Sequence, residues 1–194
     1  MEALLVSSFV VAIAEIGDKT QLLALVLAAR FRKPVPIILG ILLATLANHG
    51  LAAWAGGAVA QWLGPELLRW TLGLSFLAMA AWILVPDKED EDGVGLGRRY
   101  GPFLATLVSF FLVEIGDKTQ IATIALAARF NDLVLVTLGT TLGMMLANVP
   151  AVLVGEAAAS KVPLKLVHGL AAIIFAVLGL LALAGIGLQG LGVD

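Results

Sequence analysis

Six long apolar stretches decide what this chain can fold into. Their limits are Ala3–Ala29, Val35–Leu63, Leu67–Val85, Phe103–Ala128, Leu133–Ala159 and Leu164–Leu188. A helix needs about 20 mostly apolar residues to cross a bilayer, and lipid offers its backbone polar groups no outside partner. Each stretch is long enough, so the chain reads as an all-α membrane protein with six transmembrane helices. Composition agrees, with 60% hydrophobic and 13% charged residues against roughly 45–50% and about 25% in a soluble domain. Pro34, Pro36, Pro65, Pro86, Pro102 and Pro163 stand at the ends of stretches, where a missing N–H does least harm; Pro150 alone lies inside one. The first stretch lacks a basic leader before it, so it is expected to be a retained helix and not a cleaved signal.

The stretches fall into two matching halves. Aligning Glu15 with Glu114 gives 12 identities in the 17 residues that end at Phe31 and Phe130. Gly40 then aligns with Gly139, and Leu46–Asn48 matches Leu146–Asn148 after a one-residue slip. The expected units are residues 1–86 and 102–194, three helices each, joined by an acidic cytoplasmic linker at 87–101 that begins DKEDED. Three is odd, so the second half enters the membrane from the opposite side. The expectation is therefore a 3+3 inverted repeat, a plan that places transporter sites near the midplane where the halves meet. Lys and Arg fix the orientation. Arg30, Arg32, Lys33, Lys88, Arg98, Arg99, Lys161 and Lys165 share one face, while Arg69 and Arg129 lie on the other. Positive-inside bias then puts both termini outside the cytoplasm.

The repeated segment carries charge where charge is costly. Glu15, Asp18 and Lys19 lie inside the first stretch, and Glu114, Asp117 and Lys118 inside the fourth. A charge at mid-bilayer costs roughly 2.5–3.5 kcal/mol on insertion scales. On a continuous helix each Glu shares a face with its Asp at i+3, and each Lys follows its Glu at i+4, in the favourable order. Four carboxylates and two ammoniums sum to −2, which one divalent cation or two protons would neutralise. Carboxylates are hard oxygen donors suited to Ca²⁺, Mg²⁺ or Mn²⁺. Glu15, Asp18, Glu114 and Asp117 are thus the expected metal ligands, with Lys19 and Lys118 balancing charge. Thr20, Gln21, Thr119, Gln120, Asn48 and Asn148 are further candidates for ligands or supporting groups. Pro150 would free the carbonyl of Leu146 beside Asn148, and Gly17 and Gly116 would allow close helix approach or a local break. The structural alternative is an ion-pair network of Glu15 with Lys19 and Glu114 with Lys118, with the aspartates bonded to neighbouring helices.

The doubled E-I-G-D-K-T, in six spans with a 3+3 repeat and an acidic central loop, resembles the transmembrane protein 165 family, also called uncharacterised protein family 0016. The likeness covers essentially the whole chain. It implies a secondary transporter of Mn²⁺ or Ca²⁺ that exchanges the cation for H⁺, with no bound cofactor. It also implies a cation site at Glu15, Asp18, Glu114 and Asp117, completed by Lys19, Thr20, Lys118 and Thr119. Bacterial members act in manganese export. This chain lacks the longer N-terminal extension of organellar members, so a bacterial inner membrane is the expected location.

Other features add less. The acidic run Asp87–Asp92 reads as a solvated linker that could gather cations. His49 aligns with Val149, and His168 has no histidine partner either, so both read as packing or interfacial residues and not as a paired metal site. Gly139 and Gly143 form GxxxG, suited to helix packing. Trp54, Trp62, Trp70 and Trp82 read as interfacial anchors, and Glu156 as solvated. A net charge of −2 argues against a nucleic-acid partner, and the absence of cysteine excludes disulfide and thiolate chemistry. Two rivals remain. The same acids could line a passive divalent-cation channel, or Asp18 and Asp117 could form the acid/base dyad of an intramembrane aspartyl hydrolase.

Overall fold

The structure is a computed structural model and describes residues 1–85, 97–154 and 164–186. The acidic run at Asp87–Asp92, Glu156 and Lys161 lie outside the described residues. The described chain is all helical: α1 (Glu2–Glu15), α2 (Lys19–Phe31), α3 (Pro34–Trp62), α4 (Pro65–Trp82), α5 (Gly97–Glu114), α6 (Lys118–Phe130), α7 (Leu133–Val154) and α8 (Leu164–Leu183). Part of the expected linker is therefore helix, although α5 turns at Gly101 (φ 75°) before continuing from Pro102.

The first and fourth stretches are not continuous helices, which corrects the expectation that each Glu and Asp share one helical face. Both break inside the charged motif, and in the same way. Gly17 (φ 83°) and Gly116 (φ 78°) adopt the left-handed conformation that ends a helix. A tight turn follows, with Asp18 N–H donating to the Glu15 carbonyl and Asp117 N–H to that of Glu114, both at 3.1 Å. Asp18 and Asp117 then serve as extended N-caps of α2 and α6. The freed N–H of Gly17 is taken by Gln21 Oε1 (2.9 Å), and that of Gly116 by Gln120 Oε1 (2.7 Å). This is close to a capping box. No neighbour lies within 4 Å of where a Cβ would stand on Gly116. Gly116→Ala is therefore expected to cost about 1–2 kcal/mol through backbone strain alone, lowering the thermal midpoint in detergent. Gly57→Ala, in open space within a helix, is the control and should not lower it.

Packing runs between the halves more than within them. The principal partners are α1 with α7, α3 with α5 and α6, α2 with α7, α3 with α7, and α4 with α8. The long middle helix of each half thus seats the broken helices of the other. Equivalent residues make equivalent contacts. Gly40 on α3 lies against the Phe103 carbonyl and Thr106 of α5, and Gly139 on α7 against the Leu4 carbonyl and Ser7 of α1. The same offset of 99 residues relates Phe76 to Phe175, whose buried rings face one another at 6.3 Å. Gly143 also presses on α1, against Ser8 and Ala12.

The outside is apolar. Leu51, Leu142, Leu153 and Leu180 are exposed, as are Trp54, Trp62, Trp70 and Trp82. α3, Leu133–Leu153 of α7 and Lys165–Leu183 of α8 are each long and apolar enough to cross a membrane, and Gly101–Glu114 is a shorter apolar helix. A helical bundle that turns its leucines outward and buries its acids is a multi-pass membrane protein.

Candidate cation site

The two helix breaks meet in the interior. Glu15 ends α1, Asp18 caps α2 and Asp117 caps α6, so three helix termini and both halves contribute. One carboxylate oxygen from each of these three residues lies within 4.8 Å of the others. All three side chains are buried, at 0%, 4% and 3% exposure. Like charges gathered out of water repel, so the cluster needs a cation, protons or dipoles to persist. Each Asp sits at a helix N-terminus, while Glu15 sits at the C-terminal end of α1.

The hydrogen bonds separate supporting groups from open ones. Thr20 Oγ1 donates to Glu15 Oε2 at 2.5 Å. Thr119 N–H and Oγ1 both donate to Asp117 Oδ2, at 3.2 and 3.1 Å. Glu15 Oε1 is buried without a hydrogen-bond partner among the described residues. Both threonines therefore hold carboxylates in place. Gln21 and Gln120 spend their side-chain oxygens on the glycine N–H groups, and Gln21 Nε2 also donates to the Ala147 carbonyl of α7 (3.0 Å). Both amides thereby cap the breaks.

One ion pair crosses between the halves: Lys19 bonds Asp117 Oδ1 at 3.1 Å. The break makes Lys19 the first residue of a new helix and turns it across the interface. Lys118 Nζ donates to the Val85 carbonyl at 3.2 Å. Three carboxylates and the Lys19 ammonium still sum to −2.

Glu114 stands apart from the three-carboxylate cluster but within electrostatic reach of Asp117. It faces His49, whose Nε2 is 3.6 Å from Glu114 Oε2, and both side chains are fully buried. Asn48 Nδ2 donates to the Phe111 carbonyl of α5 (3.0 Å), tying α3 to the turn that carries Glu114. Asn148 Nδ2 bonds the Met144 carbonyl of its own helix (3.1 Å), while its Oδ1 is buried without a hydrogen-bond partner among the described residues. His168 Nε2 lies 3.2 Å from the Ile16 carbonyl at the first break. In the sequence, His49 has Val149 at the aligned position of the other half, and its adjacency to Asn48 is the one sign of an inward position.

Comparison with known proteins bears on the same residues. The family profile of the divalent cation/proton antiporter GDT1 matches residues 3–91 and 102–187. A Vibrio cholerae protein named "Putative manganese exporter" is 56% identical over 182 residues, covering 93% of this chain and 90% of that protein. GDT1-like protein 3 of Oryza sativa is 30% identical over 200 residues, 90% of this chain and 71% of the relative. A GDT1-like protein of Synechocystis is 28% identical over 190 residues, 86% of this chain and 91% of the relative. No solved structure matches. The profile runs through both halves and across both charged breaks, so this chain belongs to the GDT1 family of divalent cation/proton antiporters, and is a transporter and not an enzyme.

Proposed function

We propose that the chain exports a divalent cation from the cytoplasm in exchange for protons, with Mn²⁺ the favoured cargo and Ca²⁺ the second. The cation is held by Glu15, Asp18 and Asp117, with Glu114 beside them and Lys19 adjusting the charge. The observation that carries this reading is the convergence of three buried carboxylates from both halves within 4.8 Å. Oxygen donors of this kind suit Mn²⁺ and Ca²⁺ alike. The three clustered carboxylates and Lys19 carry a formal charge of −2, which one such ion or two protons would neutralise, and that is the exchange an antiporter needs.

Topology follows the same line. Six passes in two inverted halves would set the two breaks face to face at the midplane. Discontinuous helices are how such transporters bring helix ends and carboxylates to an ion. The density of Lys and Arg in the connections after the first, third and fifth stretches orients both termini away from the cytoplasm of a bacterial inner membrane. Rocking of one half on the other would expose the acids to each side in turn. Their near-complete burial favours this alternation over a continuously open channel.

Purified protein in proteoliposomes tests the exchange. An imposed pH gradient should drive Mn²⁺ against its own gradient, and a protonophore should stop it. Flux that only follows the Mn²⁺ gradient, indifferent to the protonophore, would make the chain a passive pore.

A further inference from the structure

His49 and Glu114 form a buried pair that the three-carboxylate site leaves unused. Each is 0% exposed. Neither ring nitrogen of His49 and neither oxygen of Glu114 has a hydrogen-bond partner among the described residues. Leaving a buried polar atom unsatisfied costs about 1–3 kcal/mol, and more for a charged group. Four such atoms in one place call for a third party. At 3.6 Å, Nε2 and Oε2 are too far apart for a good hydrogen bond. They are well placed to share an ion, since two metal–ligand bonds of about 2.1 Å span up to about 4.2 Å.

The pair adjoins the proposed cation site. Asp117 is within electrostatic reach of both His49 and Glu114, and Lys19 of Glu114. The Asn48 bond to Phe111 fixes the helix that carries His49 against the helix that carries Glu114. The other half offers Val149 at the aligned position, so the imidazole makes the two halves chemically unequal.

We infer that His49 and Glu114 form a mixed nitrogen–oxygen half-site for the transported cation, next to the carboxylate cradle, and that the imidazole makes the chain select Mn²⁺ over Ca²⁺. This inference rests on the transport reading above and assigns its selectivity. Imidazole suits transition metals, whereas Ca²⁺ is bound almost wholly by oxygen. A site of carboxylates alone has little means of telling the two apart beyond size. One nitrogen donor supplies it.

The test uses the full chain in lipid nanodiscs with Mn²⁺ added, read by pulsed electron paramagnetic resonance. The unaltered protein should show coupling of Mn²⁺ to a directly bound ¹⁴N, and His49→Val and His49→Gln should abolish it. In proteoliposomes the same variants should lose Mn²⁺-over-Ca²⁺ discrimination by about tenfold or more, measured as competition per folded protein. Absence of ¹⁴N coupling in the unaltered protein overturns the inference, even if neither variant folds. So does a folded variant with unchanged discrimination, which would make His49 a packing residue. Failure of the transport reading looks different. There Glu15→Gln and Asp117→Asn transport normally, while the nitrogen signal, read from binding alone, is unaffected.

Discussion

Mn²⁺ uptake into inverted vesicles should fall by at least about 100-fold in Glu15→Gln and in Asp117→Asn, with both proteins still inserted in the membrane. Each change keeps size and shape and removes one charge. A unit charge acting on another at 4 Å is worth about 4 kcal/mol at an effective dielectric of 20, and a divalent ion feels twice that. Roughly three orders of magnitude in affinity follow from the smaller figure. The folding cost is small by comparison. Gln at position 15 can still accept from Thr20, whose hydroxyl bonds Glu15 Oε2. Asn at position 117 is a good N-cap for α6 and can take the Thr119 N–H that Asp117 takes. The Lys19 ammonium loses its ionic partner in Asp117→Asn, but it is partly exposed and can reach water. Insertion is checked by the membrane-fraction yield, and flux by Mn²⁺ accumulation. Full flux in both variants would remove the carboxylate cradle from the mechanism.

Much of this arrangement could be read from the residues. The doubled motif located the acids, and the repeat offset that pairs Glu15 with Glu114 also pairs Gly40 with Gly139 and Phe76 with Phe175, all of which take matching places in the fold. The helix break was less well read, although its signals were present. Gly17 is a left-handed stop, Asp18 an N-cap, and Gln21 the residue three positions on that reaches back. Hydrophobic periodicity runs straight through these signals and suggests one helix, because lipid selects apolar residues on both sides of the break alike. The break also makes Lys19 the first residue of a new helix, from which it reaches Asp117 across the interface. Among the supporting groups, Gln21 and Gln120 give their side-chain oxygens to the glycine N–H groups at the breaks, a use that becomes legible only once the helix is known to stop there. His49 has no histidine at the aligned position of the other half, so the repeat gives no sign of its place beside Glu114.

Gly143→Leu should abolish assembly of the native bundle, and Gly143→Ala should lower its thermal midpoint measurably. A methyl group at Gly143 would stand 2.5 Å from the Ser8 carbonyl and 2.8 Å from the Ala12 nitrogen of α1. Both are backbone atoms, so no rotamer change can make room and the helices themselves must separate. Overpacking typically costs 1–3 kcal/mol, and a contact with backbone on both sides lies at or above the upper end. Little offsets that loss. Between helices in lipid there is no hydrophobic drive, and association depends on close packing of small residues and on polar links. One such link joins α7 to α2, just past the break that ends α1. Ala147, one turn beyond Gly143, offers the carbonyl held by Gln21 Nε2, and Gln21 Oε1 holds the Gly17 N–H at the first break. Prising α7 from α1 therefore loosens the turn that aims Glu15 and Asp18. Gly143→Ala should in consequence lower Mn²⁺ flux per folded protein as well as stability, while Gly57→Ala, which meets nothing within 4 Å, should lower neither. Fluorescence-detected size exclusion across a temperature series, paired with vesicle flux, separates the two effects. A Gly143→Leu protein that elutes, melts and transports like the parent would mean that the seam between α1 and α7 does not hold the carboxylates in place.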